Sequence, residues 1–193
     1  MEPPDPGDDV VYHVDPEGRI TSVNDRWDAF ARANGGTAVL SAAVIGRRAA
    51  NFIAGNETRY LFDLIIRHAI TSGRPVTAPF RCDGPAVRRR MQLTVTLEGP
   101  GDIVFRSRML AEEPRRPIAW LESRTRKERA PLLRVCSWCN RGEIAGRWAE
   151  LEEVIAAYGL FDAARVPDIT HGLCVDCERT VLAEWLQGDS AEP

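Results

Sequence analysis

The sequence lacks any apolar run close to the roughly 20 residues that a membrane-spanning helix requires. Residues 1–9 are acidic and rich in proline, and they have neither the basic nor the apolar region of a secretory signal. An excess of positive charge is also missing, because the formal net charge is -3 over 193 residues. These absences predict a cytoplasmic protein without membrane contact, and they argue against a protein that coats nucleic acid.

The common catalytic motifs are absent as well. There is no glycine-rich loop of the Walker type, no H-E-x-x-H and no G-x-S-x-G. The hydrolytic deaminase pattern fails too, since no His-x-Glu occurs and no proline precedes either Cys-x-x-Cys pair. Nothing resembles an ATPase domain, so the chain is not a complete histidine kinase. We therefore expect a protein that is not an enzyme.

The composition that is present is ordinary for a globular protein, with 44% hydrophobic and 27% charged residues. Charge, however, is unevenly placed. Residues 114–134 carry seven basic and two acidic side chains, whereas residues 135–193 carry four basic and eleven acidic ones. A basic linker over residues 111–134 is therefore predicted between a nearly neutral N-terminal part and an acidic C-terminal part. We expect residues 1–9 and 188–193 to be disordered.

The N-terminal part has the strand and helix patterns of an α+β domain. Two short strands flank Asp15-Pro16-Glu17-Gly18, which has proline and glycine where a type I turn requires them. Short helices follow, and the longest, over roughly residues 57–70, repeats apolar side chains at helical spacing. Three strands close the domain, the middle one alternating apolar and polar residues over 91–97. This order predicts one antiparallel sheet with helices on one face over residues 10–110.

Several stretches of this part resemble the PAS domain, a small bacterial sensory module. They are VDPEGRITSVNDRWDAFARANGG, VIGRRAANFI, FRCDGPAVRRRMQLTVT and IVFRSRML. The resemblance implies a five-stranded antiparallel sheet that cups a pocket, and a domain that binds a small ligand, flavin or heme, or mediates dimerisation. It does not choose among these ligands. Heme is disfavoured, because His68 is the only histidine on a predicted pocket helix and reads as a surface residue.

A run of three arginines, Arg88-Arg89-Arg90, opens the middle strand. Clustered guanidinium groups can hold an anionic ligand. The interpretation that we prefer is a solvated strand end whose arginines pair with Asp83 and similar acids.

The basic linker allows two interpretations. Pro114 and Pro117 separate it from the preceding sheet, and a short helix is predicted over residues 118–129. Its basic side chains could bind nucleic acid, but no helix-turn-helix or other complete DNA-reading motif accompanies them. We favour a solvated connector that docks on the acidic C-terminal part of the same chain. The basic residues concerned are Arg115, Arg116, Arg124, Arg126, Lys127 and Arg129.

The strongest signal is a pair of Cys-x-x-Cys sequences, Cys136 with Cys139 and Cys174 with Cys177. Two residues between cysteines let one tight turn direct both sulfurs at one cation, and four sulfurs satisfy tetrahedral zinc. His171, three residues before Cys174, is an alternate ligand or a donor to a ligand. Structural zinc is our first interpretation. A redox-active dithiol and an iron–sulfur or other metal site are the alternatives.

The patterns around these cysteines predict a small, mainly α-helical module over residues 135–187. One helix is predicted from Arg147 to Tyr158 and another from Glu178 to Leu186. The second cysteine pair would then lie at a helix N-terminus, where the helix dipole favours thiolates. A module of this size has a small core, so a metal would supply much of its stability.

The same segment resembles a cysteine module found beside PAS and response-regulator domains in bacterial signalling proteins. The matching stretches are CSWCN, RWAELE and THGLCVDC, and the family pattern has CSWCK and THGICPEC. The chain departs from it at Asn140 and Val175, neither of which removes a candidate ligand. The resemblance implies a signalling context and brings no established chemistry.

These observations predict a non-catalytic sensor or adaptor of signal transduction, in which the PAS-like domain senses a small ligand or a partner and the zinc module relays its state. The expected partners are other signalling proteins, a kinase or a regulator, and the family resemblance implies a homodimer. Two alternatives remain open, a thiol–disulfide redox sensor and a nucleic-acid-binding regulator.

Overall fold

The computed structural model of the protein describes residues 6–118, 132–159 and 168–186. This part of the chain contains two sheets, one of five strands and one of four. We call residues 6–114, which hold the five-stranded sheet, the sheet domain. We call residues 132–159 together with 168–186, which hold the four-stranded sheet and four cysteines, the cysteine module.

The sheet domain has the predicted mixed α+β fold. Its strands pair antiparallel throughout in the order β2-β1-β5-β4-β3, and helices α1 and α3 pack against them. The elements are β1 (Val10–Val14), β2 (Ile20–Val23), α1 (Asp25–Ala33), α2 (Ser41–Val44), α3 (Asn56–Ser72), β3 (Val76–Arg81), β4 (Val87–Leu97) and β5 (Ile103–Pro114).

Local chemistry explains where these elements begin and end. The predicted turn closes the β1–β2 hairpin, with the Gly18 amide donating to the Asp15 carbonyl at 2.8 Å and Gly18 at φ 75°. The Asn24 side chain accepts from the amide of Trp27 and thereby caps α1. Gly73 ends α3 at φ 64°, in the left-handed region that glycine adopts without steric cost.

Both ends of the sheet domain extend beyond the predicted bounds of 10–110. Strand β5 continues to Pro114, because it forms a long hairpin with β4 in which Val87 faces Pro114. At the other end, Pro6–Asp8 form a 3-10 turn, and the carboxylate of Asp9, 2% exposed, accepts from the Arg108 guanidinium at 3.0 Å. The remaining segments predicted to be disordered, 1–5 and 188–193, lie outside the described residues.

The cysteine module contains more strand than the sequence predicted. Its sheet has the order β8-β7-β6-β9, with β6 and β9 parallel. The helix predicted from Arg147 begins at Leu151, because residues 147–149 pair with β7 instead. The elements are β6 (Leu133–Cys136), β7 (Gly142–Ile144), β8 (Arg147–Ala149), α4 (Leu151–Ala157), β9 (Ile169–Gly172) and α5 (Val175–Leu186).

The two parts share one hydrophobic core. Cys136, Trp138, Cys174 and Cys177 belong to the same cluster of buried side chains as the inner face of the five-stranded sheet. A second, smaller core lies within the cysteine module and includes Ile118 from the start of the linker, 1% exposed. The rest of the predicted linker helix, 119–131, lies outside the described residues. The described helices include none that is long and apolar enough to cross a membrane.

Candidate metal centre

The structure brings together all four cysteines of the two Cys-x-x-Cys sequences. The sulfurs of Cys136, Cys139, Cys174 and Cys177 lie within 4.8 Å of one another, and none of them forms a disulfide. Cys136 and Cys174 are fully buried, Cys177 is 8% exposed, and Cys139 is half-buried. The four thiols therefore form one compact cluster that is mostly shielded from solvent.

The first pair is positioned by the turn between β6 and β7. The Asn140 amide donates to the Cys136 carbonyl at 2.9 Å, and the Cys136 amide donates to the Arg141 carbonyl at 2.8 Å. Asn140 has φ 58°, a left-handed conformation that asparagine tolerates better than most residues. This tight turn directs both sulfurs to one side, as the two-residue spacing predicted.

The second pair lies where β9 leads into α5. The Cys174 carbonyl accepts from the Glu178 amide at 3.0 Å, so the helix begins directly after Cys174 and places Cys177 in its first turn. Backbone amides also point at the sulfurs. The Cys174 amide donates to the Cys136 sulfur and the Cys177 amide to the Cys174 sulfur, both at 3.4 Å. Amide donors and the helix dipole both stabilise negative charge on sulfur.

Arg141 supplies a full positive charge beside the cluster. Its Nε donates to the Cys139 sulfur at 3.3 Å and its Nη2 to the Cys174 sulfur at 3.6 Å. The same guanidinium pairs with the Asp176 carboxylate at 3.0 Å, which fixes its orientation. The hydrogen bond to Cys139 raises the pKa of Arg141 further above its ordinary range, so the cation is permanent.

Burial and hydrogen bonds between the sulfurs shift the pKa values of three of the four thiols. Hydrogen bonds from Cys136 and Cys177 hold the pKa of Cys139 well below its ordinary value. Burial raises the pKa of Cys174 to about 11, and the hydrogen bonds that Cys177 makes with Cys136 and Cys139 raise its own pKa. The protein alone thus favours a thiolate at Cys139 and neutral thiols at Cys174 and Cys177. Four thiolates need a bound cation to offset their mutual repulsion.

The donors of the cluster and their spacing are compatible with zinc. Zinc–thiolate bonds are about 2.3 Å long, so the sulfurs of a tetrahedral site lie about 3.8 Å apart. The Cys139 and Cys174 sulfurs are 3.7 Å apart. Four soft sulfur donors, amide hydrogen bonds to two of them and a neighbouring guanidinium are all compatible with a structural zinc site.

Among the described residues, the cluster of candidate ligand atoms consists of the four cysteine sulfurs and does not include His171. It is a half-buried residue of β9, and its Cβ lies against Gly55, where an added Cβ would approach it to 3.2 Å. Burial lowers the pKa of its imidazole, which is therefore neutral at pH 7. His171 faces a cavity instead, as described below.

The turn between the first two cysteines anchors the module on the exposed edge of the sheet. Strand β3 is an edge strand, and the Arg81 amide donates to the Trp138 carbonyl at 2.8 Å. The Trp138 indole donates to the Pro79 carbonyl and packs near Phe62 and Phe80, with ring centroids 6.3 and 6.2 Å away. The module therefore covers an edge that would otherwise present unpaired backbone groups.

An ion-pair network joins the same two surfaces. Asp83, with a side chain 3% exposed, accepts from Arg81 and from Arg115, the latter at 3.2 Å. Arg81 also reaches Glu150 at 2.7 Å, and Arg115 reaches Glu152 at 3.4 Å. The network links β3, the start of the linker and the first turn of α4.

The arginine run of β4 is paired with acids, as the preferred interpretation expected. Arg88 reaches Glu152 at 2.8 Å, Arg89 reaches Glu112 at 2.6 Å and Arg90 reaches Glu113 at 3.2 Å. Glu152, which pairs with both Arg88 and Arg115, belongs to the acidic C-terminal part. Arg115, one of the six basic linker residues, is thus held in the network at 4% exposure.

A cavity of about 380 Å³ lies where the sheet domain meets the cysteine module. The sheet, the segment leading into α3 and the cysteine module each supply part of its wall. The lining residues are Tyr12, Phe52, Ile53, Ala54, Thr58, Phe62, Phe80, Arg81, Leu93, Ser107, Ser137, Trp138, Asn140 and His171. His68 is not among them, so no histidine of α3 faces this cavity.

No protein-family model and no curated protein matches this sequence. Solved structures similar to it include the PAS domain of the RpfR quorum-sensing receptor from Cronobacter turicensis in complex with C12:0 (11% identity, TM-score 0.42), which covers 54% of this chain and 95% of that chain. The PAS domain of BvgS from Bordetella pertussis is similar at 16% identity and a TM-score of 0.43, covering 54% and 78%. The photoactive yellow protein domain of the sensor histidine kinase Ppr from Rhodospirillum centenum is similar at 24% identity and a TM-score of 0.37, covering 52% and 83%.

The sequence identified the four cysteines but not the residues that support them. Arg141 follows the first pair by two positions, and a basic residue so close to candidate ligands is a local signal of a donor to their sulfurs. Trp138 lies inside the CSWC motif, which gives no sign of its contact with the sheet. Its role at the sheet edge depends on Pro79, 59 residues away, and pairs at that separation are invisible to local patterns.

Proposed function

We propose that the chain is a non-catalytic sensor or adaptor of signal transduction, in which the cavity of the sheet domain takes up a small ligand and a zinc-held cysteine module relays its state to another signalling protein. One observation carries the proposal. Both parts of the chain form the wall of the cavity. The residues that the module contributes are close in sequence to the four cysteines: Ser137, Trp138, Asn140 and His171.

Zinc would be held by Cys136, Cys139, Cys174 and Cys177, and it would supply a rigid tetrahedral link between the β6–β7 turn and the start of α5. Four protein ligands fill a tetrahedral site and leave no position for water or substrate. This donor set supports a structural role for the metal and a protein without catalytic chemistry at this centre.

The shared core supports a relay between the two parts. Cys136, Trp138, Cys174 and Cys177 pack in the same cluster as the inner face of the sheet. Close-packed side chains transmit a displacement because they cannot deform continuously. A ligand that moves the cavity wall would therefore bias the position of the module, whose acidic surface and helices α4 and α5 are what a partner protein would meet.

We place the protein in the cytoplasm, where thiols stay reduced and metal ligation is favoured over disulfides. A kinase or a response regulator is the expected partner, and a homodimer is the expected assembly. Two alternatives predict different results. A redox sensor would form disulfides reversibly and without metal. A nucleic-acid-binding regulator would bind DNA or RNA through the linker in a salt-dependent way.

Hydrogen exchange of the full chain, with and without zinc, tests the relay. Removing zinc with a chelator should raise exchange in residues 136–141 and 172–177 and also in residues 79–81 of the sheet edge, because the Trp138 turn holds that edge. The far hairpin, residues 10–23, serves as the internal control and should change little. Exchange that rises only within the module would contradict a relay to the sheet domain.

A further inference from the structure

The wall of the cavity at the junction contains several aromatic rings, and the described residues that line it offer no free charge. Tyr12, Phe62, Phe80 and Trp138 contribute rings to its wall. Arg81 also lines it, but its guanidinium is already engaged by Asp83 and Glu150. Among the residues that the structure describes, the wall therefore offers no unpaired charge to an ionic ligand, and burying an ion there would carry a desolvation cost.

Neutral polar side chains also line the cavity, among them Thr58 and His171. The hydroxyl of Thr58 is buried, the residue is 3% exposed, and its Oγ1 has no hydrogen-bond partner among the described residues. His171 adds an imidazole that burial keeps neutral at pH 7. Buried polar atoms are normally satisfied, so an unpartnered hydroxyl on a cavity wall indicates a place where a guest forms a hydrogen bond.

The wall of this cavity and the metal centre share one stretch of backbone. Ser137 and Trp138 are the two residues between Cys136 and Cys139, and Asn140 follows at once. The Ser137 hydroxyl donates to the Ala54 carbonyl at 3.3 Å, and its amide donates to the Gly172 carbonyl at 2.9 Å. Any change in this turn moves two sulfurs and one side of the cavity together.

We infer that the cavity binds an uncharged aromatic molecule with one hydrogen-bonding group, and that its occupancy and metal binding by the four cysteines strengthen each other. The inference rests on the proposed function and names both the ligand class and the coupling. Because coupling between two sites is reciprocal, the guest raises zinc affinity by the same factor by which zinc raises guest affinity.

The test uses the full chain, zinc, and p-cresol and indole as probes. Zinc affinity is measured by competition with a chromophoric chelator with and without each probe, and probe affinity by calorimetry with and without zinc. We expect p-cresol or indole to bind and to lower the zinc dissociation constant about fivefold or more, the range of ordinary allosteric coupling. Thr58→Val should weaken probe binding several-fold and leave zinc affinity without probe unchanged. Thr77→Val, at an exposed position of β3, should change neither.

Three outcomes have distinct meanings. Reciprocal strengthening that Thr58→Val weakens supports the inference. If the chain binds zinc but neither probe, the inference is wrong. It is also wrong if a probe binds and the zinc dissociation constant changes less than twofold. Both results leave the zinc-held module intact. Failure of the wild-type chain to bind zinc overturns the proposed function itself.

Discussion

The indole Nε1 of Trp138 donates a hydrogen bond to the carbonyl of Pro79 at 2.5 Å, across 59 positions of sequence. Pro79 lies on an edge strand, where a proline is tolerated because one side of the strand has no neighbour to receive an amide hydrogen bond. The turn that carries two candidate zinc ligands therefore also completes the sheet domain. One side chain, Trp138, therefore links the candidate metal centre to the edge of the sheet.

Trp138→Phe should separate the hydrogen bond from the packing. The phenyl ring keeps most of the apolar contact and loses the donor to Pro79, so we expect the free energy of unfolding to fall by about 1 kcal/mol. Trp138→Ala should cost about 3–5 kcal/mol, because a large buried ring is removed. Denaturant unfolding of the zinc-loaded chain measures both values. Trp148→Phe is the control within the module. An equal fall in the free energy of unfolding for Trp148→Phe would contradict a specific contribution of the Trp138 hydrogen bond.

Cys174→Ser should abolish zinc binding and unfold the cysteine module, since its sulfur is fully buried and one ligand of four is lost. Elemental analysis gives the zinc content, and circular dichroism follows the loss of structure. Cys82→Ser is the matched control, because Cys82 lies on the sheet domain side, outside the cluster, and should leave zinc content unchanged. Full zinc retention by Cys174→Ser would contradict the ligand assignment.

Arg141→Ala should weaken zinc binding by about 10-fold to 100-fold, the usual effect of removing a group that hydrogen-bonds a metal ligand. It should also speed the reaction of the zinc-loaded cluster with a disulfide reagent, because the metal that protects the sulfurs is held less tightly once Arg141 no longer donates to Cys139 and Cys174. Arg141→Lys should restore part of the affinity. Arg147→Ala removes an exposed arginine paired with Glu153 and should have no effect on either measurement.

Asp83→Asn should destabilise the junction between the sheet domain and the module. Its carboxylate is buried between Arg81 and Arg115, and removing one member of a buried ion pair costs about 3–5 kcal/mol. Limited proteolysis should then release the module faster. Glu153→Gln breaks an exposed pair, for which about 0–1 kcal/mol is expected. Similar losses from the two substitutions would argue against a structural network at Asp83.

The sequence predicted features that depend on neighbours along the chain. The Asp15–Gly18 turn and the two cysteine turns follow from residues a few positions apart, and the structure confirms them. The antiparallel sheet was also predicted, from two strands before the helices and three after them, and the resemblance to the PAS domain implied its five strands.

Features that depend on distant contacts were not predicted. Residues 147–149 were assigned to a helix, since Trp148, Leu151 and Ile155 share helical spacing, yet pairing with β7 makes them a strand. Three residues carry too little pattern to reveal such a strand. The shared core was missed for a similar reason, because both its surfaces are apolar in sequence and only the fold shows that they meet.

Zinc-edge X-ray absorption of the full chain, purified without added metal and combined with elemental analysis, decides whether the four cysteines hold zinc. We expect one zinc per chain with four sulfur neighbours at about 2.3 Å. A nitrogen neighbour at about 2.0 Å would replace one cysteine with His171 and contradict the four-sulfur site. A metal-free chain with two disulfides among the four cysteines would contradict the metal centre and support a thiol–disulfide sensor in its place.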